Sequence, residues 1–158
     1  MKRLLLLFFL SNILISAIPQ TNCKEINIFI ILINTYDQLF VEHEVMNIKD
    51  LKDAVKEYIT NPREDYNLSE KREEDIPLLG KMLVSKGLIS IQCDRNTNYQ
   101  AYINVQNEVE RAFNELRNEL ALEKFNTPYK KLSKEKRRAI NKAIPKRISE
   151  AEPRRVRN

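Results

Sequence analysis

Apolar and polar positions follow three different rhythms along the chain. Leu4 to Ile18 is a nearly unbroken apolar run behind Lys2 and Arg3 and ahead of Pro19. A shorter run, INIFIILIN at 26–34, is rich in isoleucine and at most eight apolar residues long, which suits a strand buried on both faces rather than a second membrane pass. NTYDQ then reads as a turn and LFVEH, 39–43, as the partner strand of a hairpin. From Asn47 the rhythm becomes helical. Ile48, Leu51, Val55 and Ile59 recur at three-and-four spacing, with Asn47 as N-cap and Asn61-Pro62 as the stop. Lys49, Asp50, Lys52, Asp53, Lys56 and Glu57 form the charged face of that helix.

Between Arg63 and Lys86 no period is sustained. REDYNLSEKREED is dense in charge, and the stretch reads as a long mobile loop. After Gly80 and Gly87, LISIQCD (88–94) resumes as a strand and DRNTN as a turn. The longest helix is expected from near Asn98 to about Phe125, because Tyr102, Val105, Val109, Ala112 with Phe113, Leu116 and Leu120 keep one face apolar. A shorter basic helix follows, with Ser133 as N-cap and Pro145 as its limit. RISEAE, 147–152, alternates weakly and reads as an edge strand whose charges discourage pairing with other chains. The fold class is therefore α+β: a small mixed sheet with helices packed on one face, preceded by an N-terminal hydrophobic segment. Three parts follow, a hydrophobic segment at 1–24, a folded domain at 25–153 and a basic tail at 154–158.

The length of 158 residues allows one modest core, and 42% hydrophobic with 31% charged residues is ordinary for a folded chain. Only two glycines predict few special turns. The net charge of +5 conceals an asymmetry: residues 124–158 hold 13 Lys or Arg against 3 acids, a local balance of +10, and the rest sums to −5. Such a tail is either a solvated helix face with a frayed end or a device for reaching an anionic partner. Without interleaved aromatic residues it does not read as a nucleic-acid binder.

The apolar start would extend roughly 22 Å as a helix against about 30 Å of hydrocarbon, short for a full span. It fits the apolar region of a signal peptide or a shortened anchor. Ala17 offers a small residue for cleavage, but Ile15 and Pro19 do not suit the site. Lys2 and Arg3 hold the first residues in the cytoplasm in either case. Gln20, Thr21 and Asn22 are unsuited to a lipoprotein signal at Cys23, and Cys23 and Cys93 read as two unpaired thiols.

Little in the chain suggests catalysis. His43 is the only histidine, flanked by Glu42 and Glu44 at a strand end, so no nucleophile, base and acid constellation is expected, nor a metal centre, a cofactor site or a phosphate-binding glycine loop. The notable stretch is QCDRNTNY. Asp94 precedes the long helix, where exposed amides favour an acid. Asp94, Arg95, Tyr99 and Tyr102 are candidate dimer or partner contacts.

Three stretches, NTYDQLFVEHEVMNIKDLKDAVKEYITNP, DIPLLGKMLVSKGLISIQCDRNTNYQAYINVQNEVERAFNELRNELALEKF and IPKRISEAEP, resemble the ExbD/TolR family of biopolymer-transport subunits, in a variant with a long insert after the first helix. The likeness covers about residues 26–153. It implies a single-pass inner-membrane protein with a periplasmic α+β domain, a homodimer inside an ExbB-like ring subunit, using the proton-motive force to energise a TonB-like protein for transport across the outer membrane. One departure stands out. The family carries an aspartate in its membrane helix, whereas residues 1–24 contain no Asp or Glu, and Ser11, Asn12 and Ser16 do not titrate. The apolar start resembles the distal half of the family's anchor, which implies that the aspartate would precede Met1. The alternative is an exported binding or scaffold module without motor function.

Overall fold

The computed structural model describes residues 27–150. The hydrophobic segment 1–24, the basic tail 154–158 and Cys23 lie outside the described residues. The chain folds as a mixed α+β unit. Its main sheet is assembled from β1 (Ile28–Ile33), β2 (Leu39–Val41), β3 (Glu44–Val45), β6 (Leu88–Cys93) and β7 (Ile148–Glu150), in the order β3-β2-β1-β6-β7. A separate hairpin is formed by β4 (Lys71–Ile76) and β5 (Gly80–Ser85). The helices are α1 (Ile48–Thr60), α2 (Tyr99–Phe125) and α3 (Lys134–Ala143), with one 3-10 turn at Tyr129–Lys131.

β1 sits at the centre. It pairs antiparallel with β2 and parallel with β6, and β6 in turn pairs parallel with β7. Alternation along β1 sends Phe29, Ile31 and Ile33 to one face, level with Ile89 and Ile91 of β6 and Leu39 and Val41 of β2. α1 adds Leu51, Val55, Tyr58 and Ile59 to this cluster, and α2 adds Val105, Val109, Ala112, Phe113 and Leu116. Both helices therefore cover the same face. The other face of β1 differs from the expected burial: Ile28 is 42% exposed, Ile30 and Leu32 are half-buried, and no element among the described residues covers them. A continuous apolar run suits burial on both faces, yet among the described residues one layer of helices is present to bury it.

The ends of the elements follow from single residues. The Asn47 side chain accepts from the Lys49 amide at the start of α1, and Asn98 does the same for Gln100 at the start of α2. Asn61 and Asn126 close these helices in the left-handed conformation, which asparagine tolerates better than most residues. Ser133 caps α3, and Ala143 ends it two residues before Pro145. β2 stops at Val41, earlier than expected, because Glu42 and His43 take φ values of 49° and 71° and form a tight turn into β3.

The largest correction concerns residues 63–86, which are not a long loop. Only the part up to Glu70 is irregular. β4 and β5 then pair over six positions, Lys71 with Ser85 through Ile76 with Gly80. The turn between them holds Leu78 at φ 72°, with the Leu79 amide donating to the Ile76 carbonyl. One face of this hairpin buries Ile76 and Val84 against Ala139 and Ala143 of α3.

α2 has 27 residues, about 40 Å at helical rise, whereas a six-residue strand spans about 20 Å. It starts at the end of the sheet where β1 and β6 finish and runs back across it. Gln106 reaches Glu150, Glu110 pairs with Lys146, and Arg117 donates to the Ile144 carbonyl at 3.0 and 3.2 Å. The second half of α2 thus passes beyond the sheet, and α3, the 3-10 turn and the β4–β5 hairpin pack around it as a lobe.

Candidate functional site

The residues ahead of α2 are placed by a polar scaffold. The Asn34 side-chain oxygen accepts from the amides of Tyr36 and Gln38, folding the β1–β2 turn back on itself. From that turn the Asp37 carboxylate accepts from the Asn98 amide at 2.8 Å. The acid facing the start of α2 is therefore Asp37, not Asp94. Asp94 is held through its backbone: its amide donates to the Ile33 carbonyl and its carbonyl accepts from Thr97. The Thr97 hydroxyl donates to the carbonyls of Ile33 and Asn34, both at 3.2 Å.

Of the four candidate contacts, Tyr99 and Tyr102 are brought together, with ring centroids 6.4 Å apart and planes tilted by 35°. Tyr99 is 74% exposed, and Arg95 is exposed as well. No hydrogen bond or ion pair links Asp94 or Arg95 to the two tyrosines among the described residues. Arg95 and Tyr99 are free to meet a partner; Tyr102 is engaged within the fold.

That engagement involves residues the sequence did not single out. The Gln106 amide nitrogen donates to the Tyr102 hydroxyl at 2.8 Å and to the Glu150 carboxylate at 2.7 Å. Tyr102, Gln106 and Glu150 thereby tie α2 to the edge strand β7. Loss of hydration pushes the Tyr102 phenol up to about 12, with the neighbouring Glu150 carboxylate adding to the rise. Next to this network a groove of about 520 Å³ lies between α2 and β6–β7, lined by Ile91, Gln106, Asn107, Glu110, Lys146, Ile148 and Glu150. Its charges are paired internally, Lys146 with Glu110. The signal in the sequence was Gln106 one turn after Tyr102, but its link to Glu150 spans 44 residues.

A second polar cluster is structural. The Tyr58 hydroxyl donates to the Asn27 carbonyl, its ring stacks on Phe29 at 4.8 Å, and burial pushes its phenol up to about 12. Ser69 is fully buried and accepts from the Ser85 hydroxyl at 2.9 Å, while Ser85 accepts from the Gly87 amide. The segment carrying the hairpin is joined to the sheet by the Asn27 side chain, which donates to the Leu68 carbonyl, and by Arg147, which donates to the Ser85 carbonyl.

His43 is exposed in its turn, and no cluster of three His, Cys, Asp or Glu side chains suited to a metal ion occurs among the described residues. Cys93 is a half-buried free thiol packed against the core. No helix among the described residues is long and apolar enough to cross a membrane. No family model matches the chain, and no curated protein matches it.

Proposed function

We propose that this chain is an accessory subunit of a proton-motive-force-driven inner-membrane complex of the ExbB–ExbD–TonB type, with residues 25–153 on the periplasmic side and residues 4–18 in the bilayer. It works as a homodimer with an ExbB-like ring subunit and hands energy to a TonB-like protein. It is not an enzyme.

The reading rests on the resemblance to the ExbD/TolR family, and the observation that carries it is where the resembling stretches fall. The first forms β2, β3 and α1, the second the end of β4 with β5, β6 and α2, and the third includes β7. β2, β3, β6, β7, α1 and α2 are neighbours in a single sheet-and-helix layer, and β4 and β5 are set apart as a hairpin, of which the part from Asp75 onward belongs to the second stretch. The chain also joins the sheet at the beginning of β1, so residues 19–27 alone separate the apolar run from the fold. Arg95 and Tyr99, exposed ahead of α2, are the contacts assigned to the dimer or to the TonB-like protein.

The experiment is purification of the tagged full chain from detergent-solubilised membranes, together with deletion of its gene. Recovery of an ExbB-like ring subunit and loss of TonB-dependent uptake are expected. Absence of any ring subunit with unchanged uptake contradicts the proposal. Alanine at Arg95 is expected to weaken dimer crosslinking, and unchanged crosslinking removes that contact while leaving the subunit assignment in place.

A second reading is favoured by one specific observation. Residues 1–24 contain no Asp or Glu, and an intramembrane acid is the group that would carry protons. In that reading the chain is an exported binding or scaffold module. It predicts normal co-purification with outer partners but unchanged uptake on deletion.

A further inference from the structure

The bonds that neutralise charge elsewhere in the molecule are missing from α3. Between α1 and α2, Lys52 and Lys56 are paired with Glu115 and Glu119. On α3, burial of Ala139, Ile140 and Ala143 turns Lys134, Arg137, Arg138 and Lys142 to the opposite, exposed face. None of these four forms an ion pair among the described residues, and Glu135 is the helix's single acid. Over residues 130–147 there are nine Lys or Arg and one acid, a balance of +8. Arg147 continues the patch, joining Arg138 and Lys142 around an open hollow of about 520 Å³ in which the one acid among the described residues, Glu74, is paired with Arg72.

The position of the patch is as telling as its charge. The Asn27 carbonyl accepts from the Leu88 amide, and the Arg147 carbonyl accepts from the Ile89 amide. Arg147 therefore lies two strands from Asn27 at the same end of the sheet, roughly 10 Å away at ordinary strand spacing. The lobe that carries α3 projects from this end, the one at which the chain comes in. Residues 19–27 can reach at most about 30 Å when fully extended.

We propose that the cationic face of α3, continued by Arg147, lies against anionic phospholipid headgroups of the membrane beside the domain. The proposal rests on the reading of residues 4–18 as a bilayer segment. Lys and Arg side chains near an anionic surface are drawn to it over about one Debye length. A soluble nucleic acid is the weaker occupant, because strand binding uses aromatic platforms. Among the described residues, no aromatic side chain lines the hollow between α3 and the β4–β5 hairpin.

The test uses the full chain with Cys23→Ser and Cys93→Ser, carrying one fluorescent donor at Glu135→Cys on α3 or, as control, at Thr35→Cys in the β1–β2 turn. Each is placed in nanodiscs of phosphatidylcholine alone or with about a third phosphatidylglycerol, with a headgroup-labelled acceptor lipid. Energy transfer from position 135 is expected to be greater in the anionic discs. It should fall in about 0.5 M NaCl and in the quadruple variant K134E/R137E/R138E/K142E, while position 35 stays unchanged. An unaltered melting temperature shows that the quadruple variant is folded. A chain that stays with the discs but gives the same transfer in both lipids overturns the proposal and leaves the bilayer segment standing. A chain that does not stay with either disc removes the bilayer segment and the proposal with it. Charge-dependent binding to heparin without any response to anionic discs also overturns it, in favour of a soluble polyanion.

Discussion

The sheet with its two covering helices and the lobe beyond it are built from the same chain by different means. The sheet body buries large aliphatic and aromatic side chains from five elements in one cluster, among them Ile31, Ile33, Leu51, Phe113 and Ile91. The lobe buries fewer: Ile76, Val84, Ala139 and Ala143 in one group and Ala121, Leu132 and Ile140 in another, three of the seven being alanine. Hydrophobic burial scales with apolar area. The body is therefore expected to be the more stable unit and the lobe the part that opens first.

Truncations in the two regions measure this difference. Ile31→Ala removes most of a fully buried side chain at the centre of the sheet and is expected to cost about 2–5 kcal/mol in denaturant unfolding. A loss near zero would show that β1 is not the core of the fold. Gly87→Ala tests the junction. A Cβ there would stand 2.7 Å from the Tyr58 ring and 2.8 Å from the Ser69 side chain, so overpacking of about 1–3 kcal/mol is expected. Unchanged stability would mean that the lobe moves freely against the sheet.

Val84→Ala, in the lobe, is expected to cost about 1–2 kcal/mol. Its distinguishing sign is local: amide exchange should accelerate in β4, β5 and α3 while β1 and β6 keep their protection. Equal acceleration everywhere would show that body and lobe unfold as one.

The smallest effect concerns the charges between α1 and α2. The hydrogen bond from Lys52 holds the Glu115 carboxyl below its usual 4.5, and the hydrogen bond to Glu119 holds the Lys56 ammonium above its usual 10.5. The Glu115 side chain is 38% exposed, so Glu115→Gln should cost less than about 1 kcal/mol at neutral pH. The sign follows from linkage. The lowered carboxyl contributes above pH 4.5 and loses that contribution as the pH falls through its folded value. The raised ammonium contributes below pH 10.5 and loses it as the pH rises further. The difference between wild type and Glu115→Gln should therefore shrink on acidification, and a difference that grows would contradict the pairing.

The same contrast explains what could be read from the sequence. In the body, periodicity and caps agree: Asn47 and Asn98 are caps, and α2 follows its apolar spacing closely; the cap Ser133 was legible in the lobe as well. In the lobe, β4 reads KREEDI and exposes charge on most positions, so its single buried Ile76 makes no visible alternation. Its turn places Leu78 where a positive φ would ordinarily signal glycine. The candidate contacts divide likewise. Exposure of Arg95 and Tyr99 followed from their polar setting, whereas the Tyr102–Gln106–Glu150 link depends on the parallel register of β6 with β7, which no local pattern encodes.

In the proposed arrangement an apolar leading segment holds this α+β unit at the outer side of the inner membrane. Carbonate extraction of membranes from cells making the full chain, with protease added to spheroplasts, tests it most directly. The account predicts retention in the membrane pellet with an intact N-terminus, and digestion of the folded domain from outside. Recovery of the intact chain from the soluble cytosolic fraction, protected from protease, would contradict it.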